Sequence, residues 1–154
     1  MTELDRLQRR QLDQKLAPLR ESELSAVPRG GWTKAIRTAL GMRAATLGRR
    51  IGVSQSAISQ LESGEEQETI TLASLSKLAE GLECDLVYAL VPRGSLDEIM
   101  RRQATRRARS IVDSVSTSMD LENQGVPEEE REEQVEALAR ELLAKPGAGL
   151  WDDS

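Results

Sequence analysis

The sequence predicts a mainly helical fold with one short strand, and three observations carry that expectation. The 154 residues include no Phe and only 2% aromatic residues, so the core must come from Leu, Ile, Val, Ala and Met, which suits helical packing. Apolar residues recur at three- and four-residue spacing along most of the chain. Gly, Pro and capping residues cut that pattern into pieces of helix length.

The first piece is residues 2 to 20, where Leu4, Leu7, Leu12, Leu16 and Leu19 fall near one stripe and Thr2 would cap the start. A lone amphipathic helix needs a second surface, either the rest of the chain or a second copy, and pairing is slightly favoured. Val27-Pro28-Arg29-Gly30-Gly31 reads as a linker. Thr33 to Leu40 is a short helix with Ala35, Ile36, Ala39 and Leu40 inward, ended by Gly41. A second runs from about Ala44 to Ile51 and stops at Gly52. Ser54 caps a third, Gln55 to Glu62, which stops at Gly64. Thr71 starts a fourth, with Leu72, Leu75, Leu78, Ala79 and Leu82 on one side.

Cys84 to Val91 is β-rich and bounded by Pro92, which predicts a short strand. It lacks a partner strand in the chain, so pairing with its copy across a dimer axis is expected. Ser95 is an N-cap and Asp97 and Glu98 occupy the first turn of a long helix, Leu96 to about Asn123. Gly125-Val126-Pro127 ends it. Pro127 opens a last helix carried by Val135, Leu138, Leu142 and Leu143, stopped by Lys145-Pro146-Gly147. The tail from Gly147 reads as loose, with Trp151 its one large anchor. The expected organisation is an N-terminal helix suited to dimerisation (1–27), a helix-turn-helix region ending in the strand (28–92), a long helix (93–125), and an acidic helix with its tail (126–154).

Composition narrows the function. No run approaches 18 apolar residues, and the N-terminus lacks an apolar signal core, so a cytoplasmic protein without a membrane span is expected. The one cysteine, Cys84, reads as a small buried thiol. The absence of histidine removes imidazole acid–base chemistry and most zinc sites, and no Gly-rich phosphate motif is present. Neither a cofactor nor enzymatic activity is expected.

Net charge is −5, yet its distribution is uneven. Residues 28 to 64 set Arg29, Lys34, Arg37, Arg43, Arg49 and Arg50 against Glu62 alone, a net of +5. Residues 93 to 109 set six arginines against Asp97 and Glu98, a net of +4. Residues 113 to 154 set twelve acids against three bases, a net of −9. A basic module in front of an acidic tail suits a polyanion for the first and a basic protein for the second. The arginines at 101, 102, 106, 107 and 109 fit DNA, an acidic protein surface, or a merely solvated helix.

The informative run is Thr46-Leu47-Gly48-Arg49-Arg50-Ile51-Gly52-Val53-Ser54-Gln55-Ser56-Ala57-Ile58-Ser59-Gln60-Leu61-Glu62-Ser63-Gly64. Two short helices that cross tightly need a small residue where they touch, which Gly48 supplies. Gly52 permits a left-handed turn between them. Val53, Ile58 and Leu61 would fix the second helix on the core, leaving Gln55, Ser56, Ser59 and Gln60 outward. Such side chains can meet base edges in a major groove. Arg43, Arg49 and Arg50 would contact phosphates and set register. Thr46 and Ser54, at the edges of the motif, complete the candidate DNA-binding set. The bland alternative is a two-helix turn with a polar solvent face.

The run resembles the phage-repressor and Cro type of helix-turn-helix, the Xre family, over roughly Thr33 to Leu90. That resemblance implies a five-helix fold and a dimer on two-fold double-stranded operator DNA. Gly31-Trp32-Thr33-Lys34-Ala35-Ile36-Arg37, the turn motif and Asp85-Leu86-Val87-Tyr88-Ala89-Leu90-Val91-Pro92 together are similar to the family called mobile mystery protein A. The similarity extends to the N-terminal leucine helix and to Leu150-Trp151-Asp152-Asp153. It implies an antitoxin whose partner is a Fic-domain toxin, an enzyme that transfers AMP to protein hydroxyls. It also implies an inhibitory helix of the pattern Ser or Thr, three residues, Glu, then Gly or Asn. Ser118-Met119-Asp120-Leu121-Glu122-Asn123 fits, with Ser118 and Glu122 on one helix face. By that resemblance Glu122 would take an arginine of the toxin's ATP site, a carboxylate competing with phosphate for one guanidinium. Ser76 to Gly81 fits the pattern equally, with Glu80 solvated and Gly81 as a C-cap. The alternative inhibitory element is the tail, Trp151, Asp152 and Asp153. The alternative function is a stand-alone phage-type repressor.

Overall fold

The computed structural model describes residues 3–22, 26–120 and 127–152, without the side chains of 117–120 and 148. Eight helices make up the regular structure among these residues: α1 (Glu3–Arg20), α2 (Gly31–Ala39), α3 (Ala44–Ile51), α4 (Gln55–Glu66), α5 (Leu72–Gly81), α6 (Leu96–Asp120), α7 (Glu128–Ala144) and α8 (Ala148–Trp151). They fall into two compact units. One holds residues 22–90, and the other joins residues 1–21 to 91–154.

The 22–90 unit is built on α2 to α5. Leu47, Ile58 and Leu78 are fully buried and Leu82 nearly so, with Ile36, Met42, Ile51 and Leu61 packed against them. Burying each such side chain contributes about 1.5–3 kcal/mol. Thr71 caps α5 by accepting from the Ser74 N–H at 3.1 Å. Gly81 is the last residue of α5 rather than its cap. A Cβ there would lie 2.6 Å from Ile51 and 2.7 Å from Leu47, so the glycine is required by the close approach of α5 to α3. Ala39 and Leu40, expected inward, are exposed, as is Leu72, while Thr33 is buried. Cys84 is half-buried beside the core.

The expected strand Cys84–Val91 is not found among the described residues. The segment is irregular, and Val87, Tyr88 and Leu90 are 82%, 72% and 88% exposed. A strand exists only in a ladder, and no extended neighbour lies beside it among the described residues. The unit therefore shows four helices where the family resemblance implied five.

The second unit is a helical hairpin with α1 added. α6 and α7 run antiparallel, joined by the Arg109–Glu132 pair at 2.6 Å. Ala104, Ala108 and Val112 lie four residues apart on α6 and meet Val135 and Ala139 of α7. The alanines keep the contact thin. Ser95 and Glu98 form a capping box: the Glu98 N–H donates to Ser95 Oγ at 3.1 Å, and the Ser95 N–H donates to Glu98 Oε2 at 2.9 Å. α1 adds a second cap, because Asp13 accepts from the Leu96 N–H at 3.0 and 3.1 Å. Arg9 pairs with Asp97 at 2.8 Å, and Arg20 Nε donates to the Pro92 carbonyl at 3.0 Å. Leu16 and Leu19 are half-buried, whereas Leu4, Leu7 and Leu12 are exposed.

The tail is more ordered than its composition suggested. Leu150 is 1% exposed in the hairpin core, and the buried Gln103 amide donates to its carbonyl at 2.9 Å. Trp151, the expected anchor, is half exposed. Leucine wins the site because a slot between two helices lined by alanine and valine accepts a branched aliphatic group more readily than an indole.

Candidate nucleic-acid interface

The turn between α3 and α4 is set by two glycines with different tasks. Gly52 sits at φ +76 and closes α3, its N–H donating to the Gly48 carbonyl. A Cβ on Gly52 would meet nothing within 4 Å, so its role is conformational. The Val53 N–H donates to the same Gly48 carbonyl at 2.8 Å, a Schellman closure. A Cβ on Gly48 would lie 2.5 Å from the Val53 carbonyl oxygen. Gly48 therefore lets the backbone of the turn fold directly onto α3. Ser54 then starts α4, accepting from the Ala57 N–H at 3.1 Å.

α4 has two chemically distinct faces. The inner one carries buried Ile58 and Glu62 with half-buried Leu61 and Glu65. Glu62 takes Arg37 of α2 in a two-point pair, Nε to Oε1 at 2.6 Å and Nη2 to Oε2 at 3.0 Å. Arg37 Nη1 also donates to the Met42 carbonyl at 2.9 Å. The hydrogen bond to Glu62 raises the Arg37 pKa against the opposing effect of burial. Three residues on, Glu65 accepts from the Trp32 N–H at 2.7 Å and the Thr33 N–H at 3.1 Å. It thus caps α2 from outside, where the helix dipole favours an anion. Gly31 sits at φ +89, and a Cβ there would lie 2.8 Å from the Glu65 carboxyl carbon. Continuation of α4 through Gly64 to Glu66, past the expected stop, places Glu65 for this role.

The outer face presents Gln55, Ser56, Ser59, Gln60 and Ser63, all exposed and uncharged. The acids of the helix up to Glu65 point inward, so no carboxylate interrupts this surface until Glu66. Of the sequence-predicted DNA residues, Gln55, Ser56, Ser59 and Gln60 are brought together here. Ser59 Oγ donates to the Gln55 carbonyl at 3.3 Å. Ser54 is exposed but its hydroxyl serves the cap and lies 3.3 Å from Ser56 Oγ. Arg43 and Arg49, near the two ends of α3, are exposed and have no acidic partner among the described residues. Thr46 is half-buried and accepts from Arg49 Nη2 at 3.4 Å. Arg50, grouped with them in sequence, pairs with Glu83 at 2.7 Å.

The residues that seat α4, Arg37 and Glu65, escaped the sequence reading. Their partners lie 25 and 32 or more residues away, beyond any local spacing rule. The inhibitory candidates fare differently. Ser118 falls within α6, but its side chain, together with Glu122, Asn123 and Asp153, lies outside the described residues. Trp151 and Asp152 are exposed. No described helix is long and apolar enough to cross a membrane.

Residues 34–88 match the family model HTH_3, described as a helix-turn-helix. No curated protein and no solved structure matches the chain. That stretch is an Xre-like helix-turn-helix domain, of the kind that binds DNA and regulates transcription.

Proposed function

We propose that this chain is an operator-binding repressor that inserts the outer face of α4 into the major groove as a dimer. It would also serve as the antitoxin of a Fic-domain adenylyltransferase. The observation that carries the DNA reading is the division of α4. Both inner carboxylates hold the helix on α2, which leaves Gln55, Ser56, Ser59 and Gln60 as a rigidly presented, uncharged polar surface. A glutamine in the first turn suits adenine, and short hydroxyls permit close approach. Arg43, Thr46, Arg49 and Ser54 flank that surface and would bind phosphates. The segment from Cys84 to Val91 supplies the dimer contact, because its exposed Val87, Tyr88 and Leu90 gain both a ladder and burial by pairing with a second copy.

The test is binding of the purified chain to DNA from upstream of its own gene, read by fluorescence anisotropy. Gln55→Ala and Ser56→Ala should each cost about 1–3 kcal/mol for a lost base contact and relax preference at that position. Affinity equal to that of the unaltered chain would reject the face assignment.

The antitoxin role rests on the family resemblance of Gly31 to Arg37, Asp85 to Pro92 and Ser118 to Asn123. Co-expression with a Fic-domain protein encoded in the same operon tests it, and an operon without such a reading frame rejects it. Glu122→Ala, or alanine at Trp151, Asp152 and Asp153 with the core residue Leu150 kept, should release toxicity if the respective element inhibits. A chain that represses normally but neither binds nor silences such a product is a stand-alone repressor of phage type.

A further inference from the structure

The second unit contains a recess that DNA reading through α4 does not use. It lies between α1, α6 and α7 and encloses about 400 Å³, within the range of small-molecule sites. Its walls are strongly cationic. α1 contributes Arg6, Arg9 and Arg10, which helical spacing sets on one face. α6 contributes Arg101 and α7 contributes Arg140. Asp97 is the one acid in the lining, and Arg9 holds it at 2.8 Å. Five guanidiniums against one carboxylate leave a net of +4. Arg10, Arg101 and Arg140 are exposed and have no acidic partner among the described residues.

Arginines on a solvated helix spread toward water and away from one another. Here three helices converge their arginines on one concavity, where a bound anion relieves their mutual repulsion more fully than solvent and salt do. Guanidinium groups match phosphate oxygens in pairs, and several of them around a recess match a chain of phosphates better than a single one. The lining is not wholly polar, since Met100 and Leu143 add apolar surface beside the charges. A flat ring stacks readily on such a surface, the thioether in particular.

We propose that this recess binds a small organic polyphosphate of the nucleoside di- or triphosphate class. Arg10, Arg101 and Arg140 hold the phosphates, and Met100 with Leu143 receives the base. The bound anion ties α1 to the α6–α7 hairpin, adding to the Asp13 and Arg9 contacts already there.

Calorimetric titration of the full chain with ATP, tripolyphosphate and inorganic sulfate at equal ionic strength tests the proposal. ATP should saturate one site per chain and bind at least about tenfold tighter than sulfate. Arg10→Gln, Arg101→Gln and Arg140→Gln should each weaken ATP about tenfold, with helical content by circular dichroism unchanged. Arg49→Gln, in the other unit, should leave ATP binding alone. ATP tighter than tripolyphosphate supports the seat for the base on Met100 and Leu143, and tripolyphosphate equal to ATP overturns the nucleoside assignment. ATP no tighter than sulfate overturns the site, as does unchanged ATP affinity in all three variants. Loss of operator affinity in those variants, with no ATP binding by the unaltered chain, would reassign the arginines to the DNA backbone.

Discussion

Arg37 in one unit and Arg10, Arg101 and Arg140 in the other put the same side chain to opposite uses. In the 22–90 unit, half-buried Arg37 pairs with buried Glu62 and fixes the angle of α4, so a cation does structural work and leaves the reading face neutral. In the other unit, Arg10, Arg101 and Arg140 line a recess without acids to pair with, so their charge stays available. A count of basic residues treats all of these as equal. Burial and partner geometry, more than number, separate an arginine that holds a fold from one whose charge stays available.

Among the largest effects is that of breaking the buried pair. Glu62→Ala leaves the half-buried Arg37 with only the Met42 carbonyl as partner, and should destabilise the 22–90 unit by about 3 kcal/mol in urea unfolding, the low end for a buried pair. The double replacement Arg37→Met with Glu62→Leu removes both charges and should be far milder. A Glu62→Ala loss below about 1 kcal/mol would mean that the pair is solvated and that α4 is seated by its apolar contacts and Glu65.

Of similar size is Leu150→Ala, which empties the slot under the hairpin and should cost about 2–5 kcal/mol. If the units are energetically separate, the loss appears in the unfolding of α6 and α7 while operator affinity is unchanged. A parallel loss of DNA binding would show that the stability of the hairpin is coupled to the helix-turn-helix. Gly48→Ala follows. Its new methyl meets the Val53 carbonyl at 2.5 Å, and relief of that clash should cost about 1–3 kcal/mol and tilt α4. Operator affinity should fall further than stability alone accounts for, since the reading face moves with the turn. Equal thermal midpoints for Gly48→Ala and the unaltered chain would show that the turn relaxes freely.

What the sequence disclosed follows the range of the interactions. Gly52, Ser54, Thr71 and Ser95 were readable because each acts on backbone groups within one turn. The outward set of α4 was readable because its periodicity is local. Arg37 with Glu62, Glu65 at α2, Asp13 at α6 and Leu150 in its slot were not, since each pairing depends on how distant helices meet. The β-rich residues Cys84 to Val91 are a separate case. Their composition is that of a strand, but a strand needs a neighbour, and none is found among the described residues.

The smallest effect sharpens the comparison most. Arg50–Glu83 at 2.7 Å is nearly as short as Arg37–Glu62 at 2.6 Å, yet its side chains are 42% and 80% exposed against 14% and 8%. Solvent screening limits the exposed pair to about 0–1 kcal/mol, so Glu83→Ala should scarcely move the unfolding midpoint. It should instead free Arg50. If that guanidinium then reaches a phosphate, operator affinity rises at low salt and the slope of log affinity against log salt steepens by about one. Arg50→Gln should show neither change. A Glu83→Ala destabilisation as large as that of Glu62→Ala would break the link between burial and function drawn from the two arginine populations, because distance would then predict the energy and exposure would not.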